Sequence, residues 1–237
     1  MLPMPPTPET AAPAPAVHDD VWVVIPLFNE ATVIADVITE VRTVFPNVVC
    51  VDDGSSDGSA DRARAAGAVV VRHAVNLGQG ASLQTGIQWA LRQQSRYLVT
   101  FDADGQHQLA DAVAMVELAE KDDLGIVFGS RFLDGRTDTG FLKRIVLRTA
   151  VWFTRHSTGL QLTDAHNGLR VLRADAAGGV HLRQDRMAHA TEIVLQLGRT
   201  RLPWREYPVH VLYTDYSKGK GQSLWNSINI LIELMIN

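Results

Sequence analysis

The sequence has few cysteines, no long apolar run and no excess of positive charge. Its single cysteine, Cys50, excludes an intramolecular disulfide and a zinc site built from several thiolates. No stretch of about 18 uninterrupted apolar residues occurs, so the sequence predicts no transmembrane helix. The 22 Lys and Arg against 26 Asp and Glu give a formal net charge of −4, which argues against nucleic acid as a partner.

The rest of the composition is that of a folded globular protein. Hydrophobic residues make up 46% of the 237 residues and charged residues 20%, which suits one domain with a substantial core. Six of the ten prolines precede residue 16. They predict a disordered, Pro-rich tail over residues 1–18 rather than a signal peptide. We expect one domain over residues 19–222 and a terminal helix over residues 223–237.

Apolar runs alternate with helical patterns along the chain. The runs typical of buried strands lie at 21–25, 48–51, 68–71, 97–101 and 125–128. Pro26 is expected to end the first strand. Asn29 is the expected N-cap of the first helix, and Ser56 or Asp57 that of the second. The alternation predicts an open, mostly parallel α/β sheet flanked by helices, whose ligands bind beyond the carboxyl ends of the strands.

Two aspartates follow the run at 97–101, in the segment Asp102–His107. Alternate residues of an extended chain point to the same side, so Asp102 and Asp104 can face one point in space, with Gln106 next in line. Oxygen ligands at an open edge suit Mg²⁺ or Mn²⁺ held together with substrate phosphates. An isolated Asp-x-Asp is more often a polar loop, but its place directly after a buried strand favours the metal site.

A second acidic pair, Asp52 and Asp53, follows the run at 48–51 and precedes Gly54. An acid in this place can accept hydrogen bonds from a ribose or a base edge, although a simple turn also fits. No G-x-x-x-x-G-K-[ST] loop occurs, and the segment Asn76–Gly80 lacks the third glycine of a dinucleotide fingerprint. The sequence therefore argues against P-loop and NAD sites.

Five ordered segments together resemble family 2 glycosyltransferases of the Rossmann-like GT-A fold: Pro26–Glu30, Val51–Asp57, Asn76–Ala81, Asp102–His107 and Gly129–Arg131. Within that family the chain is most similar to the dolichyl- or polyprenyl-phosphate sugar synthases, over about residues 20–225. The resemblance implies a metal site formed by Asp102, Asp104 and Gln106. It also implies a nucleotide site formed by Pro26, Phe28, Glu30, Asp53, Asp102 and Ala103.

The nature of the acceptor can be argued from charge. A sugar hydroxyl must lose a proton to attack and needs a carboxylate base, whereas a lipid phosphate is already anionic and needs cations. The resemblance places Arg131 and Arg144 on an acceptor phosphate, and helical spacing puts Arg148 on the same face as Arg144. Lys143 and Arg155 are expected on a solvated face. Glu192 is the expected base if the acceptor is a hydroxyl.

Two further segments and one absent signature complete the resemblance. Lys218 lies in a segment that resembles the family's loop over the pyrophosphate, so Asp104, Arg131 and Lys218 are the expected catalytic residues. The segment Asp164–Arg170 matches the family's D-x-x-[NS]-G-[FL]-R, for which a mainly structural role is expected. The Q-x-x-R-W signature of processive polysaccharide synthases is absent, which argues against a polymerase.

The last fifteen residues, 223–237, form an amphipathic pattern with a narrow polar stripe. The pattern fits a helix in a membrane interface or docked on a partner's transmembrane helices, while packing on the sheet is the alternative. The resemblance adds a small integral membrane protein as a partner of some family members. A homo-oligomer is compatible with the pattern.

Together these features predict a metal-dependent, inverting glycosyltransferase with Mg²⁺ or Mn²⁺ as cofactor. It would move one sugar from a UDP- or GDP-sugar to a polyprenyl phosphate, at the inner face of the cell membrane, for cell-envelope glycans. Two alternatives stay open at this stage. One is transfer to a saccharide hydroxyl with Glu192 as base, and the other is a nucleotide-sugar-binding subunit without catalysis.

Overall fold

The computed structural model describes residues 17–133, 160–184 and 188–212. The strands within these ranges are β1 (Val21–Leu27), β2 (Asn47–Asp52), β3 (Val69–Arg72), β4 (Tyr97–Thr100), β5 (Ile126–Ser130), β6 (Arg170–Arg173) and β7 (Trp204–Pro208). The helices are α1 (Ile34–Val41), α2 (Ser59–Ala65), α3 (Gln79–Arg92), α4 (Leu109–Lys121), α5 (Ala174–Gly178) and α6 (Ala188–Arg199).

The seven strands form one sheet in the order β3-β2-β1-β4-β6-β5-β7. β6 runs antiparallel to both β4 and β5, while the other neighbouring strands pair in parallel. The predicted open, mostly parallel sheet is therefore confirmed. The carboxyl ends of β1, β2, β3, β4, β5 and β7 all lie at one edge, which is where ligands bind in sheets of this kind.

Alternating side chains of β1 divide the core between the two faces of the sheet. Val23 and Ile25 pack with α1 and α4 on one face, and Val24 packs with α3, α5 and α6 on the other. A Cβ added at Gly86 would lie 2.3 Å from Cγ1 of Val24. The lack of a side chain at Gly86 thus allows α3 to lie close against β1.

Neither predicted helix cap lies at the cap position. Asn29 and Asp57 bind across loops, and Asp57 Oδ1 also accepts the amide of Ser59, the first residue of α2, at 3.0 Å. α1 starts after Val33, while Asn29 has a left-handed φ of 54° and its Oδ1 accepts a hydrogen bond from the Ser56 amide at 3.0 Å. α2 starts after Gly58, which has φ of 88°, so neither Ser56 nor Asp57 is its N-cap. Sequence preference at a cap is local, and here contacts between distant loops outweigh it.

The first strand also continues beyond the residue expected to end it. Pro26 pairs with Val51 in the β1–β2 ladder, and β1 runs on to Leu27. β4 pairs only as far as Val24. Pro26 lies beyond that point, so its missing N–H does not remove a hydrogen bond to β4.

Several predicted features lie outside the described residues. They are most of the Pro-rich tail, Arg144, Arg148, Lys218 and the amphipathic segment 223–237. In the part of the chain that the structure describes, every helix is too short or too polar to cross a bilayer.

Candidate active site

The loop after β1 is held by side chains of the loop after β2. The amide of Asn29 donates to Ser55 Oγ at 2.9 Å, and the amide of Glu30 donates to Ser59 Oγ at 2.8 Å. The amide of Ala31 donates to Asp57 Oδ2 at 2.9 Å. Ser55 and Asp57 of the second motif, together with Ser59 at the start of α2, thereby fix the backbone of residues 29–31 at the carboxyl edge.

Asp53, a predicted nucleotide residue, fastens the segment that leads into α3. Its carboxylate accepts the amides of Leu77 and Gly78 at 2.9 and 2.7 Å, and its Oδ1 lies 2.8 Å from Nδ1 of His73. Only 3% of Asp53 is exposed. The structure therefore shows it shaping this side of the edge, and direct contact with a nucleotide stays a prediction.

Other members of the predicted nucleotide set lie at the same edge. Pro26 is near the end of β1, and Phe28 follows it with 46% of its surface exposed. Ala103, three residues beyond the end of β4, is buried. An exposed aromatic ring beside the buried end of a strand is a suitable surface for stacking against a base.

The Asp-x-Asp motif follows β4, as predicted. The Asp102 side chain is 31% exposed, and its Oδ2 lies 2.9 Å from Nε2 of His107. Its Oδ1 has a longer contact, 3.4 Å, with Nε2 of Gln79 at the start of α3. Asp104 Oδ1 accepts the amide of Gln106 at 3.0 Å. Asp102 is thus oriented by His107, while Asp104 is oriented by the turn that follows it.

The charges around the motif differ for its two carboxylates. Burial alone would raise the pKa of Asp102, but the bond with His107 and the charge of Arg170 outweigh burial and lower it. Burial raises the pKa of Asp104, and the negative charges of Asp102 and Glu30 raise it further. Asp104 is therefore held in an environment with excess negative charge.

This donor set fits a hard divalent cation that is completed by ligands from a substrate. The negative charges of Asp102 and Glu30 both act on Asp104, and a cation would relieve this repulsion. No group of three or more His, Cys, Asp or Glu side chains arranged to hold a metal occurs among residues 17–133, 160–184 and 188–212. Phosphate oxygens of a bound nucleotide are the natural remaining ligands for such a cation.

Gly168 packs directly against the carboxylate of Asp102. A Cβ added at Gly168 would lie 2.2 Å from Asp102 Oδ2 and 2.8 Å from its Cγ. The carbonyl of Gly168 accepts a hydrogen bond from Thr100 Oγ1 at 2.6 Å, which ties this glycine to the end of β4. A glycine is therefore required at position 168, because any side chain there would clash with the carboxylate of Asp102, a predicted metal ligand.

Arg131, the predicted acceptor residue, follows β5 and is held by Asp164. Its Nε donates to Asp164 Oδ2 at 2.6 Å and its Nη2 donates to Oδ1 at 2.9 Å. The side chain of Asp164 is 3% exposed and that of Arg131 is 37% exposed. Burial acts to raise the pKa of Asp164, but the hydrogen bonds and charge of Arg131 lower it. Arg131 is thus a guanidinium oriented by a buried carboxylate, with part of its side chain open to solvent.

Arg170, at the start of β6, supplies a second and fully internal cation. Only 2% of it is exposed, and its Nη1 has a 3.5 Å contact with the carbonyl of Gly168. Burial lowers the pKa of Arg170 to about 10, while the charges of Asp102 and Asp164 act in the opposite direction. It stays protonated at neutral pH.

Glu192, the candidate base for a hydroxyl acceptor, is engaged elsewhere. Its Oε2 accepts the amides of Arg183 and Gln184 at 3.0 and 2.9 Å, and its Oε1 accepts Gln196 Nε2 at 3.2 Å. It lines a depression of about 570 Å³, together with His181 and Arg199, in which neither Asp102 nor Asp104 takes part. Its carboxylate fastens the segment before α6.

The last described residues, up to Leu212, lie beside the Asp-x-Asp motif. The amide of Leu212 donates to the carbonyl of Gln106 at 2.9 Å, and Gln108 Nε2 donates to the carbonyl of His210 at 3.2 Å. Lys218 lies six residues beyond Leu212 in the sequence, outside the described residues. The contacts of Gln106 in the structure involve its backbone, so its role as a metal ligand stays a prediction.

The structure thus brings Glu30, Asp102, Asp104 and Arg131 to one edge of the sheet. Sequence reasoning missed the roles of His107 and Arg170 beside Asp102, and it assigned only a structural role to Gly168. The signal was present for the last two, because both belong to the segment Asp164–Arg170. Their partners are distant in sequence, and spacing alone does not reveal them.

Comparisons with known proteins find relatives by sequence and by fold. The undecaprenyl-phosphate mannosyltransferase of Micrococcus luteus is 27% identical over 212 residues, covering 85% of this chain and 86% of that protein. The UDP-N-acetylglucosamine–dolichyl-phosphate N-acetylglucosaminyltransferase of Methanococcus voltae is 24% identical over 238 residues, covering 91% and 95%.

A solved structure shares the fold at lower sequence identity. The glucosyl-3-phosphoglycerate synthase of Mycobacterium tuberculosis, crystallised with Mn²⁺, UDP-glucose and phosphoglyceric acid, has a TM-score of 0.59 and 19% identity. The match covers 84% of this chain and 74% of that one. The sequence profile described as Glycosyl transferase family 2 matches residues 22–178, well over half of the chain. The protein therefore belongs to glycosyltransferase family 2.

Proposed function

We propose that this glycosyltransferase transfers a single sugar, with inversion, from a UDP- or GDP-sugar to a polyprenyl phosphate. Asp102 and Asp104 would hold Mg²⁺ or Mn²⁺ on the diphosphate of the donor, with Gln106 next to them. Pro26, Phe28, Glu30, Asp53 and Ala103 would form the nucleotide site. The product would be a lipid-phosphate sugar for cell-envelope glycans.

The observation that carries this proposal is the position of Arg131. A partly exposed guanidinium, fixed by two hydrogen bonds to a buried carboxylate, lies at the edge that carries the Asp-x-Asp motif. A planar, oriented guanidinium matches two oxygens of a phosphate. An anionic acceptor would bind there in addition to the diphosphate of the donor.

The reaction would be a single displacement at the anomeric carbon. An acceptor phosphate oxygen forms the new bond to this carbon as the bond to the donor diphosphate breaks, and the nucleoside diphosphate leaves with that electron pair. Arg131 would hold the acceptor oxygen in line, a positioning effect. A divalent cation held by Asp102 and Asp104 would supply Lewis-acid stabilisation of the leaving diphosphate. No base is needed, because the acceptor is already ionised near neutral pH.

Residues outside the described part complete the proposal from the sequence alone. Arg144 and Arg148 would add positive charge for the acceptor phosphate, and Lys218 would assist departure of the diphosphate. Residues 223–237 would lie in the membrane interface or bind a small membrane protein, which would keep the enzyme at the inner face of the membrane, where its lipid acceptor is anchored.

Two observations support a lipid phosphate over a hydroxyl acceptor. The full-length relatives named above act on undecaprenyl phosphate and dolichyl phosphate, and their matches cover most of both chains. In addition, the carboxylate of Glu192 is occupied by two backbone amides and a glutamine. A general base must reach the proton that it removes, and Glu192 is directed at its own loop.

The test is transfer of labelled sugar from a panel of UDP- and GDP-sugars to undecaprenyl and dolichyl phosphate. Label should enter the organic phase with Mn²⁺ or Mg²⁺ and disappear with EDTA. Asp104→Asn should lose at least about 100-fold in activity, while Asp36→Asn, at an exposed site in α1, should behave as wild type. Near-normal activity of Asp104→Asn would contradict the metal assignment.

A further inference from the structure

The carboxylate of Glu206, on β7, binds the short segment that carries the partner of Arg131. Its Oε1 accepts the amide of Thr163 at 2.7 Å, the hydroxyl of Thr163 at 3.0 Å and the amide of Asp164 at 3.3 Å. β7 pairs with β5, the strand that leads into Arg131, and Glu206 lies beside Phe128 in that ladder. One carboxylate oxygen therefore ties residues 163–164 to the two neighbouring strands.

Asp164 extends this attachment to Arg131. In addition to the two bonds from the guanidinium, Asp164 Oδ2 accepts the backbone amide of Arg131 at 3.2 Å. Asp164 thus binds both the main chain and the side chain of Arg131. Because Glu206 holds the main chain of Asp164, a continuous series of hydrogen bonds joins Glu206 to the guanidinium.

A second series of hydrogen bonds joins the neighbours of Arg131 to the same oxygen. The amide of Phe132 donates to Ser130 Oγ at 3.2 Å, and Ser130 Oγ lies 2.5 Å from Thr163 Oγ1. An ionised carboxylate can only accept, so the Thr163 hydroxyl donates to Glu206 and accepts the hydrogen of Ser130. The residues on both sides of Arg131 are thereby attached to Glu206.

We infer that Glu206 is a positioning residue for Arg131, which it holds, through Thr163 and Asp164, in the orientation that an acceptor phosphate meets. The part of this inference that concerns the acceptor rests on the proposed function, while the orientation of Arg131 does not. A guanidinium that is fixed in advance loses less conformational freedom when it binds a phosphate. Loss of the Glu206 carboxylate should therefore weaken binding of the acceptor.

The orientation of Arg131 can be observed without any transfer reaction. Its Nε–H is donated to a buried carboxylate at 2.6 Å and should exchange slowly with solvent. The signal is followed in proton–nitrogen correlation spectra and identified by its loss in Arg131→Lys. In Glu206→Ala the exchange should become at least about tenfold faster, because the segment that holds Asp164 opens more often. Glu206→Gln keeps an accepting oxygen in the same place and should stay within about threefold of wild type.

Val41→Ala is the control for a general loss of stability. Val41 is the last residue of α1 and is 1% exposed, and it packs in the core on the other side of the sheet from α3, α5 and α6. Its truncation should lower the melting temperature and leave the exchange of the Arg131 Nε–H unchanged. Unchanged exchange in Glu206→Ala, or an equal acceleration in Val41→Ala, would overturn the inference.

A second variant keeps the test decisive if Glu206→Ala does not fold. Thr163→Val removes the hydroxyl that joins Ser130 to Glu206 and keeps a similar volume. It should accelerate the exchange of the Arg131 Nε–H at least about threefold, since one of the two attachments is lost. Unchanged exchange in this variant would also overturn the inference.

Binding of the acceptor has a separate readout. In Glu206→Ala the KM for polyprenyl phosphate should rise about tenfold, as expected when an oriented charged contact is loosened. The KM for the nucleotide sugar and the half-saturating Mn²⁺ concentration should stay within about twofold, because the Asp-x-Asp motif is attached elsewhere. An equal rise in all three would show a general distortion and would contradict the positioning role.

The two readouts separate this inference from the proposed function. If the wild type transfers sugar to polyprenyl phosphate and the KM for this lipid does not rise in Glu206→Ala, the role in acceptor binding is wrong. If the wild type transfers none while Glu206→Ala accelerates exchange at Arg131, the proposed acceptor fails and the positioning of Arg131 by Glu206 stands.

Discussion

Gly168→Ala is the sharpest single test of how the site is built. The added Cβ would lie 2.2 Å from Oδ2 and 2.8 Å from both Cγ and Oδ1 of Asp102. Ordinary contacts between such atoms are more than 3 Å long, so the carboxylate must move by about 1 Å. Gly168 has no positive φ that alanine would strain. The effect of the substitution on the folded state therefore comes from this clash.

A displacement of this size should reduce catalysis far more than it reduces stability. Misplacing a reacting or metal-binding group by about 1 Å costs on the order of 100-fold in rate, which is about 2.7 kcal/mol of transition-state stabilisation. Loss of the hydrogen bond between Asp102 and His107 costs about 1 kcal/mol of folding free energy. We therefore expect a folded protein with about 1% of the wild-type kcat/KM and weaker Mn²⁺ binding.

Gly178→Ala is the matched control, because no atom lies within 4 Å of its added Cβ. Gly178 is the last residue of α5, and alanine there should leave activity unchanged. The assays are metal-dependent sugar transfer, thermal unfolding and Mn²⁺ titration with UDP or GDP. Wild-type kcat/KM and wild-type Mn²⁺ binding in Gly168→Ala would refute the contact between this glycine and Asp102.

Three other variants or probes test separate parts of the account. Glu192→Gln should keep transfer to polyprenyl phosphate within about threefold; a loss of 100-fold or more would identify a general base. Arg131 holds the pKa of Asp164 low, so ionised Asp164 stabilises the fold above about pH 4 and this contribution is lost as the pH falls through the lowered pKa. Urea unfolding should show a smaller loss of stability below pH 4 in Asp164→Asn than in wild type; equal losses would contradict the pairing. Burial raises the pKa of the Cys50 thiol, so a thiol reagent at pH 8 should modify it only after unfolding. Rapid labelling of the native protein would contradict the burial of Cys50 in β2.

Much of the fold and the position of the Asp-x-Asp motif could be predicted because the signals are local. Apolar runs in the sequence predicted the strands β1, β2 and β4. The place of Asp102 and Asp104 in the sequence, just after the third of these runs, was enough to predict that they follow β4. Parallel strands bring such loops to one edge whatever their order in the sheet. The alternation of strands and helices was therefore enough to predict that these loops meet at the carboxyl edge of the sheet.

The remaining parts depend on contacts between distant segments. β6 enters the sheet between β4 and β5, and no periodicity indicates where a short antiparallel strand will pair. The partner of Arg131 lies 33 residues away at Asp164. Asn29 is a residue type that often caps helices, but in the fold its side chain binds the loop after β2. Local preference is outweighed wherever a buried polar group needs a distant partner.

The central claim is that the attacking group is a phosphate on a lipid. It is tested most directly by offering the enzyme, with Mn²⁺ and its active labelled nucleotide sugar, either polyprenyl phosphate or the matching neutral polyprenol. The account predicts labelled lipid product with the phosphate and none with the alcohol. Arg131 is a fixed cation for an ionised acceptor, and Glu192, the candidate base among the described residues, is held by its own loop. Labelled product from the alcohol at a similar rate, or none from the phosphate, would contradict it.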